Sequence, residues 1–387
     1  MSTTTLAPTT ADERAAIIEA VRDFAESELA PYALEWDENK HFPREALGKA
    51  GELGLGGIYV REDVGGSDLS RSDAAAIIEE LAKADPSIAA YISIHNMVAW
   101  MIDTYGTDDQ RREWLPRLTA MTDFGAYCLT EPGAGSDAAA LATSAIRTGD
   151  EYVLTGVKQF ISGGGEASVY VVMARTGDPG ARGISAFLVP GDAAGLSFGT
   201  NEKKMGWNAQ PTRQVIFDEV RVPASALLGI EGQGFKIAMS GLNGGRLNIA
   251  ACSLGWAQFA LDQAIRYVHE RYTFGEPLAE KQAVVFTIAD MATELRAARA
   301  LVRDAAVALD EKAPDAAMQC AMAKRFATDT GFRVANEALQ LHGGYGYLHD
   351  YGIEKVVRDL RVHQILEGTN EIMRVIIGRE LLLGAES

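Results

Sequence analysis

The chain has 387 residues, 47% of them hydrophobic, and a formal net charge of -17 at pH 7. That length exceeds a single hydrophobic core and predicts two or three structural units sharing one interior. The acidic balance repels phosphate backbones and anionic lipid, which excludes nucleic acid and membrane surfaces as partners and favours a small-molecule enzyme.

The opening MSTTTLAPTTADERAA has Arg14 as its only positive side chain and no apolar run behind it, so no leader is expected and the location predicted is cytoplasmic. Longer apolar stretches are broken by charge or glycine well short of membrane-spanning length. Thr10 with Glu13 forms a capping box, and Ile17, Ile18, Val21, Phe24 and Leu29 then mark one helical face. Further helices are predicted near 72–83, 88–104 and 108–118, separated by glycine-rich sequence at 51–66 and by Pro86. Residues 1–120 therefore read as a helical domain.

Over 121–232 the pattern changes to short β-prone runs such as YVLTG, VYVVMA, ISAFLVP and QVIFDEVRVP, punctuated by glycine, proline and aspartate. Gly149-Asp150 before an alternating run predicts a hairpin turn, with glycine supplying the positive φ. Helical periodicity returns over 233–387. Val284, Ile288, Met291, Leu295, Ala298, Val302, Ala305 and Leu309 form a heptad seam, continued by small residues at Ala316, Cys320, Ala323, Ala327, Thr330 and Val334. The fold class is thus α+β: helices, a β domain, then a helical bundle.

Several strings could carry chemistry. Gly133 to Ala138 matches the relaxed dinucleotide fingerprint GxGxxA after the apolar run at 127–130, but a Rossmann unit needs a helix and a parallel strand next, and Asp150 falls in the hairpin. A plain turn reads the string as well. Lys158 to Gly165 puts an aromatic and a hydroxyl at a strand end, and Gln340 to Tyr347 ends a long helix in a cluster of glycines. Cys128, Cys252 and Cys320 sit among apolar neighbours, and six histidines show no metal-ligand spacing, so no metal is predicted. No GxSxG elbow supports a serine nucleophile. Glu367, in ILEGTNEI, is an acid in an apolar context ahead of the last helix, and as an isolated string it reads as an N-terminal turn.

Taken together and in order, YCLTEPGAGSD, FISGGG, RYTFGEPLAEKQ, LQLHGGYGY and ILEGTNEIMR resemble the acyl-CoA dehydrogenase family over nearly the whole chain. GLNGGRLNIA, KKMGWNAQPT and RDLRVHQILEG are most similar to its isobutyryl-CoA branch. The resemblance implies that family's fold, with a C-terminal four-helix bundle, and FAD-dependent oxidation of a short acyl-CoA to the 2,3-enoyl-CoA, the electrons passing to an electron-transferring flavoprotein. It implies Glu367 as the catalytic base. Around FAD it implies Tyr127, Cys128, Leu129, Thr130, Gly135, Ser136, Phe160, Ile161 and Ser162, with Thr369, Asn370 and Glu371. Arg271, Gln282, Gln340, Leu341, His342, Gly343 and Gly344 would contact FAD partly from a neighbouring subunit of a homotetramer. Ser136, Asn243, Gly244, Gly245 and Arg246 would meet the acyl-CoA, and Arg379 its distal part.

Two departures stand out. Gly245 takes the place where some relatives hold their base, and Leu366 and Phe160 replace aromatics common in the family; Leu366, Gly244 and Gly245 are expected to shape the pocket for a branched acyl group. The competing readings are an NAD-dependent Rossmann oxidoreductase, a catalytically silent FAD-binding member of the same fold, and an oxygen-reactive acyl-CoA oxidase.

Overall fold

The computed structural model describes residues 9–383. Six helices come first: α1 (Ala11–Phe24), α2 (Ala33–Asn39), α3 (Arg44–Glu52), α4 (Arg71–Ala82), α5 (Pro86–Tyr105) and α6 (Asp108–Thr119). The capping box forms as expected, with the Glu13 N–H donating to Thr10 and the Glu13 carboxylate accepting the Thr10 N–H. Leu29 lies beyond α1, in a one-turn π-helical segment. Pro86 is the first residue of α5, where its missing N–H costs nothing and Asp85 caps the Ser87 and Ile88 N–H groups. α5 is buried along most of its length and forms the central post of this part.

Eight strands follow: β1 (Gly125–Cys128), β2 (Ser144–Thr148), β3 (Glu151–Ser162), β4 (Val169–Arg175), β5 (Ile184–Pro190), β6 (Leu196–Phe198), β7 (Thr212–Pro223) and β8 (Leu227–Leu228). They form one sheet in the order β6-β7-β3-β2-β4-β5-β8, with β1 beside β4. The β2–β3 hairpin turns at Gly149, φ 65°, as predicted. Most pairs are antiparallel, and β1 runs through Gly133-Ala138 into a 3₁₀ turn rather than a helix. The Rossmann reading is thereby excluded.

The last part holds α7 (Gly234–Glu270), a β9 (Tyr272–Thr273) and β10 (Glu276–Pro277) hairpin, α8 (Gln282–Asp310), α9 (Ala316–His342), α10 (Ile353–Arg361) and α11 (Asn370–Leu383). The heptad seam is buried from Met291 to Ala305, and the small-residue stripe from Cys320 to Val334 lets α9 pack closely. All three cysteines are free and buried. Among the described residues no helix is long and apolar enough to cross a membrane.

One apolar core joins the N-terminal helices to the bundle, and two more lie on the faces of the sheet. A buried polar network ties the β part to the bundle. The Trp207 N–H donates to Asp359 (2.6 Å) and its indole to His363 (3.2 Å), while fully buried Lys355 bridges Asp359 (2.7 Å) and Asp85 (3.3 Å). A Cβ at Gly206 would lie 2.6 Å from the Asp359 carboxylate, so the loop seats on this network because residue 206 has no side chain. Lys355→Met leaves two carboxylates buried without their cation and should lower stability by about 3–5 kcal/mol, read as a fall in melting temperature.

Candidate active site

Two of the quoted segments are bonded side by side. Lys158 Nζ, fully buried on β3, donates to Leu129 O (3.0 Å) and to the Glu131 carboxylate (2.8 Å), and the Gln159 N–H donates to Thr130 O (2.8 Å). Glu131 also accepts the Ala142 and Thr143 N–H groups, at 2.6 and 2.9 Å. Burial pulls the Lys158 pKa down against the attraction of Glu131. A shift of strand register between Lys158 and Ile161 puts Phe160 at φ 60° with its ring 63% exposed, so the strand end presents an aromatic face instead of burying it. Ser162 is half-buried beside it. The side chains of Cys128, Leu129 and Ile161 point into the core, so these three can offer a ligand main-chain groups only. Thr130 is half-buried, whereas Gly135 and Ser136 are exposed. Gly133 and Gly135 have ordinary negative-φ backbone and nothing within 4 Å of a built Cβ, so no contact within the chain requires glycine there.

The Glu367 turn lies near Tyr127 of β1. The chain leaves a 3₁₀ turn at Val362–Gln364, bends with Glu367 at φ 54° and Gly368 at φ 91°, and enters α11. Glu367 is a non-glycine residue in the left-handed region, a conformation that persists only where its surroundings hold it. Its side chain points at α7. A Cβ at Gly245 would lie 2.1 Å from Glu367 Oε2, so the absence of a side chain there makes the room for the carboxylate. Oε2 is buried with no hydrogen-bond partner. Burial pushes the Glu367 pKa up to about 7, with Arg246 and Lys324 opposing the shift. Among the described residues the Glu367 N–H finds no acceptor, while its carbonyl accepts from Arg246 Nε (3.2 Å), and Arg246 also donates to Asn243 (3.0 Å). Tyr127 on β1 has a buried, unpartnered hydroxyl whose pKa is raised by burial and then by the Glu367 charge, placing it in the same cluster.

Gly244 and Gly245 thus each make room for a side chain of the same chain, Arg71 and Glu367 respectively. A Cβ at Gly244 would lie 2.4 Å from Arg71 Nη1, whose guanidinium stacks 3.6 Å from the centre of the Tyr59 ring and 5.0 Å from that of Trp100. Leu366 is half-buried against the main core. Sequence reading missed both Arg71 and Lys324. The latter is 0% exposed and donates to Gly368 O (2.8 Å) and to Asn370 Oδ1 (3.0 Å). Its signal was position: Lys324 lies four residues after Cys320 and three before Ala327, on the small-residue face of α9.

A second group of residues lies elsewhere. Arg271, Leu341, His342, Gly343 and Gly344 line a cavity of about 500 Å³ at the far end of α7. The 26 residues from Gly245 to Arg271 span about 39 Å of helix, so one chain does not bring this group to Glu367. His342 stacks on Tyr267 (centroids 4.4 Å apart) and bonds Ala338 O, and burial lowers its pKa. Gln282 and Gln340 are exposed at the start of α8 and the end of α9. Phe274 (98%), Tyr347 (81%) and Tyr272 (65%) present exposed aromatics around them.

Of the residues after Glu367, Thr369 accepts the Ile372 N–H (3.3 Å) and Glu371 is exposed beside Arg374. Asn370 turns inward, bonded to Lys324, Thr328 and Asp329, so its amide has a structural task. Arg379 is exposed toward the end of α11, and no hydrogen bond or ion pair among the described residues links it to the Glu367 cluster. Among the described residues no group of three or more His, Cys, Asp or Glu could hold a metal ion.

Comparison with known proteins gives one answer along the chain. The acyl-CoA dehydrogenase N-terminal, middle and C-terminal domain families match residues 11–122, 126–220 and 232–382. The chain is similar to the mitochondrial isobutyryl-CoA dehydrogenase of Dictyostelium discoideum, 57% identical over 93% of this chain and 86% of that one. A solved butyryl-CoA dehydrogenase from Megasphaera elsdenii superposes with a TM-score of 0.94 at 39% identity, covering 97% of this chain and all of that one. A chain solved in connection with the electron transferring flavoprotein of Acidaminococcus fermentans does so with a TM-score of 0.94 at 41% identity, covering 97% and 100%. The protein is a member of the acyl-CoA dehydrogenase family.

Proposed function

We propose that this enzyme removes two hydrogens from isobutyryl-CoA, or a similarly short branched acyl-CoA, with Glu367 as the base. The observation that carries the reading is a buried carboxylate oxygen without a partner, on a group whose pKa stands near 7. A carboxylate desolvated in this way is a stronger base than an exposed one, as abstraction of a weakly acidic C–H demands. Glu367 Oε2 takes the α-proton, and the unpaired Glu367 N–H is available to the thioester oxygen as negative charge develops there. The branched acyl group is supported by the 57% identity to an isobutyryl-CoA enzyme, against 39% to the butyryl-CoA one, and by Leu366 before the base.

Members of the family are FAD flavoproteins, and this chain has features that fit the cofactor: open space at Gly133 and Gly135, the exposed Phe160 ring, and the unpartnered Tyr127 hydroxyl. When bound, FAD supplies the acceptor for the hydride that leaves the β-carbon. Tyr127 to Thr130, Gly135, Ser136 and Phe160 to Ser162 would hold it in one subunit, together with Thr369 to Glu371. Arg271, Gln282 and Gln340 to Gly344 are about 39 Å of helix away, so they would serve the site of a neighbouring copy. The exposed Phe274, Tyr272 and Tyr347 suit burial in that homotetramer. An electron-transferring flavoprotein would then reoxidise the enzyme.

Anaerobic titration of the purified protein with isobutyryl-, butyryl- and isovaleryl-CoA tests the reading. Isobutyryl-CoA should bleach a bound flavin most completely; a protein without flavin, or a flavin that no short acyl-CoA reduces, would overturn it. Glu367→Gln should keep FAD and lose at least about 10²–10⁴-fold in the rate of flavin reduction. Gly245→Ala puts a methyl group where Oε2 lies and should also keep FAD while slowing flavin reduction by at least about tenfold, because an ångström-scale displacement of a reacting group is costly.

A further inference from the structure

We infer that Lys324 is a positioning residue for the base, forming with Arg246 a clamp of two buried cations on the Glu367–Gly368 turn. The inference rests on Glu367 being the base. The turn exposes two successive carbonyls, and each accepts from a cation on a different helix: Glu367 O from Arg246 of α7 at 3.2 Å, and Gly368 O from Lys324 of α9 at 2.8 Å. Lys324 also reaches Asn370 Oδ1 at 3.0 Å and so joins the turn to the first residue of α11. Asn370 is fixed in its turn by Thr328 (2.9 Å) and Asp329 (2.7 Å). The left-handed Glu367 is thereby held from both sides, as a non-glycine residue at positive φ requires.

The charge of Lys324 is as informative as its bonds. The side chain is 0% exposed and forms no ion pair with a carboxylate among the described residues. An unpaired buried ammonium is costly, so packing alone does not account for it. Around it stand Glu367 on the turn, Arg246 on α7, Asp329 on α9, Glu371 on α11 and His363 before the turn. Around Glu367 stand Arg246, Lys324, Tyr59, Tyr127 and Cys252. Burial lowers Lys324 to about 8 and raises Glu367 to about 7. The base ionises as pH rises through about 7, while Lys324 stays cationic until about 8. Loss of the cation therefore favours the protonated, inactive carboxyl and moves the onset of activity to higher pH.

Lys324→Met keeps the length of the side chain and removes both its hydrogen bonds and its charge; Lys324→Arg keeps the charge. In the FAD-loaded enzyme, the rate of anaerobic flavin reduction at saturating isobutyryl-CoA is measured against pH, and substrate affinity is taken from its concentration dependence. For Lys324→Met the midpoint should rise by about one pH unit and the rate at neutral pH fall about fivefold, the ionised fraction dropping from about one half to about one eleventh, with affinity nearly unchanged and Lys324→Arg restoring most of the rate. A wild-type midpoint and rate in Lys324→Met would overturn the inference. Should that variant lose FAD, Lys324→Gln, which keeps a donor but no charge, is read the same way: a raised midpoint supports the clamp and a wild-type midpoint overturns it. If Glu367→Gln is inactive while Lys324→Met behaves as wild type, the clamp alone fails; if Glu367→Gln turns over normally, the assignment of the base fails with it.

Discussion

The burial of one carboxylate against a helix that lacks a side chain at the point of contact is the constraint on which the rest of the site depends. Glu367 can occupy its place only because Gly245 leaves room for Oε2 and because the turn at Glu367 and Gly368 adopts left-handed backbone. A carboxylate left there without a partner is poorly solvated, and the same desolvation raises its affinity for protons into the range useful for general base catalysis. The costs of strain and desolvation are met by the surrounding fold, through buried cations that hold the turn and limit the pKa rise.

The fold is arranged to bring those parts together from distant sequence. α7 supplies Gly245 and Arg246, α9 supplies Lys324, and β1 supplies Tyr127, which lies more than two hundred residues before the turn it faces. The Lys158–Glu131 pair fixes the β1 exit against the end of β3, so that Phe160 and Thr130 belong to one rigid edge. The network of Trp207, Asp359 and Lys355 then seats the β part on the bundle. The length of α7 also separates the glycine-rich end of α9 from Glu367.

What could be read in the sequence was local. The Thr10–Glu13 capping box, the Gly149 hairpin and the α8 seam depend on residues a few positions apart, and each formed where its spacing put it. Pro86 marked the break between α4 and α5, although it stands inside the second of them, at the first helical position where proline is at home. The GxGxxA string could not be decided by itself, since its meaning depends on whether a helix follows, and here a 3₁₀ turn does. Gly244 and Gly245 were legible as unusual but not as the seats of Arg71 and Glu367, because that requires knowing what faces α7. Lys158 and Lys324 escaped for the same reason: a lysine in sequence is ordinarily solvated, and only the packed structure reveals one that is 0% exposed.

The pH dependence of anaerobic flavin reduction in the wild-type enzyme, followed in single turnovers with isobutyryl-CoA, bears most directly on this account. A rate that climbs as pH rises through about 7 is predicted, because the buried Glu367 must lose its proton before it can accept one from the substrate. A rate already level at neutral pH and falling only in the range of an ordinary exposed carboxylate would contradict it.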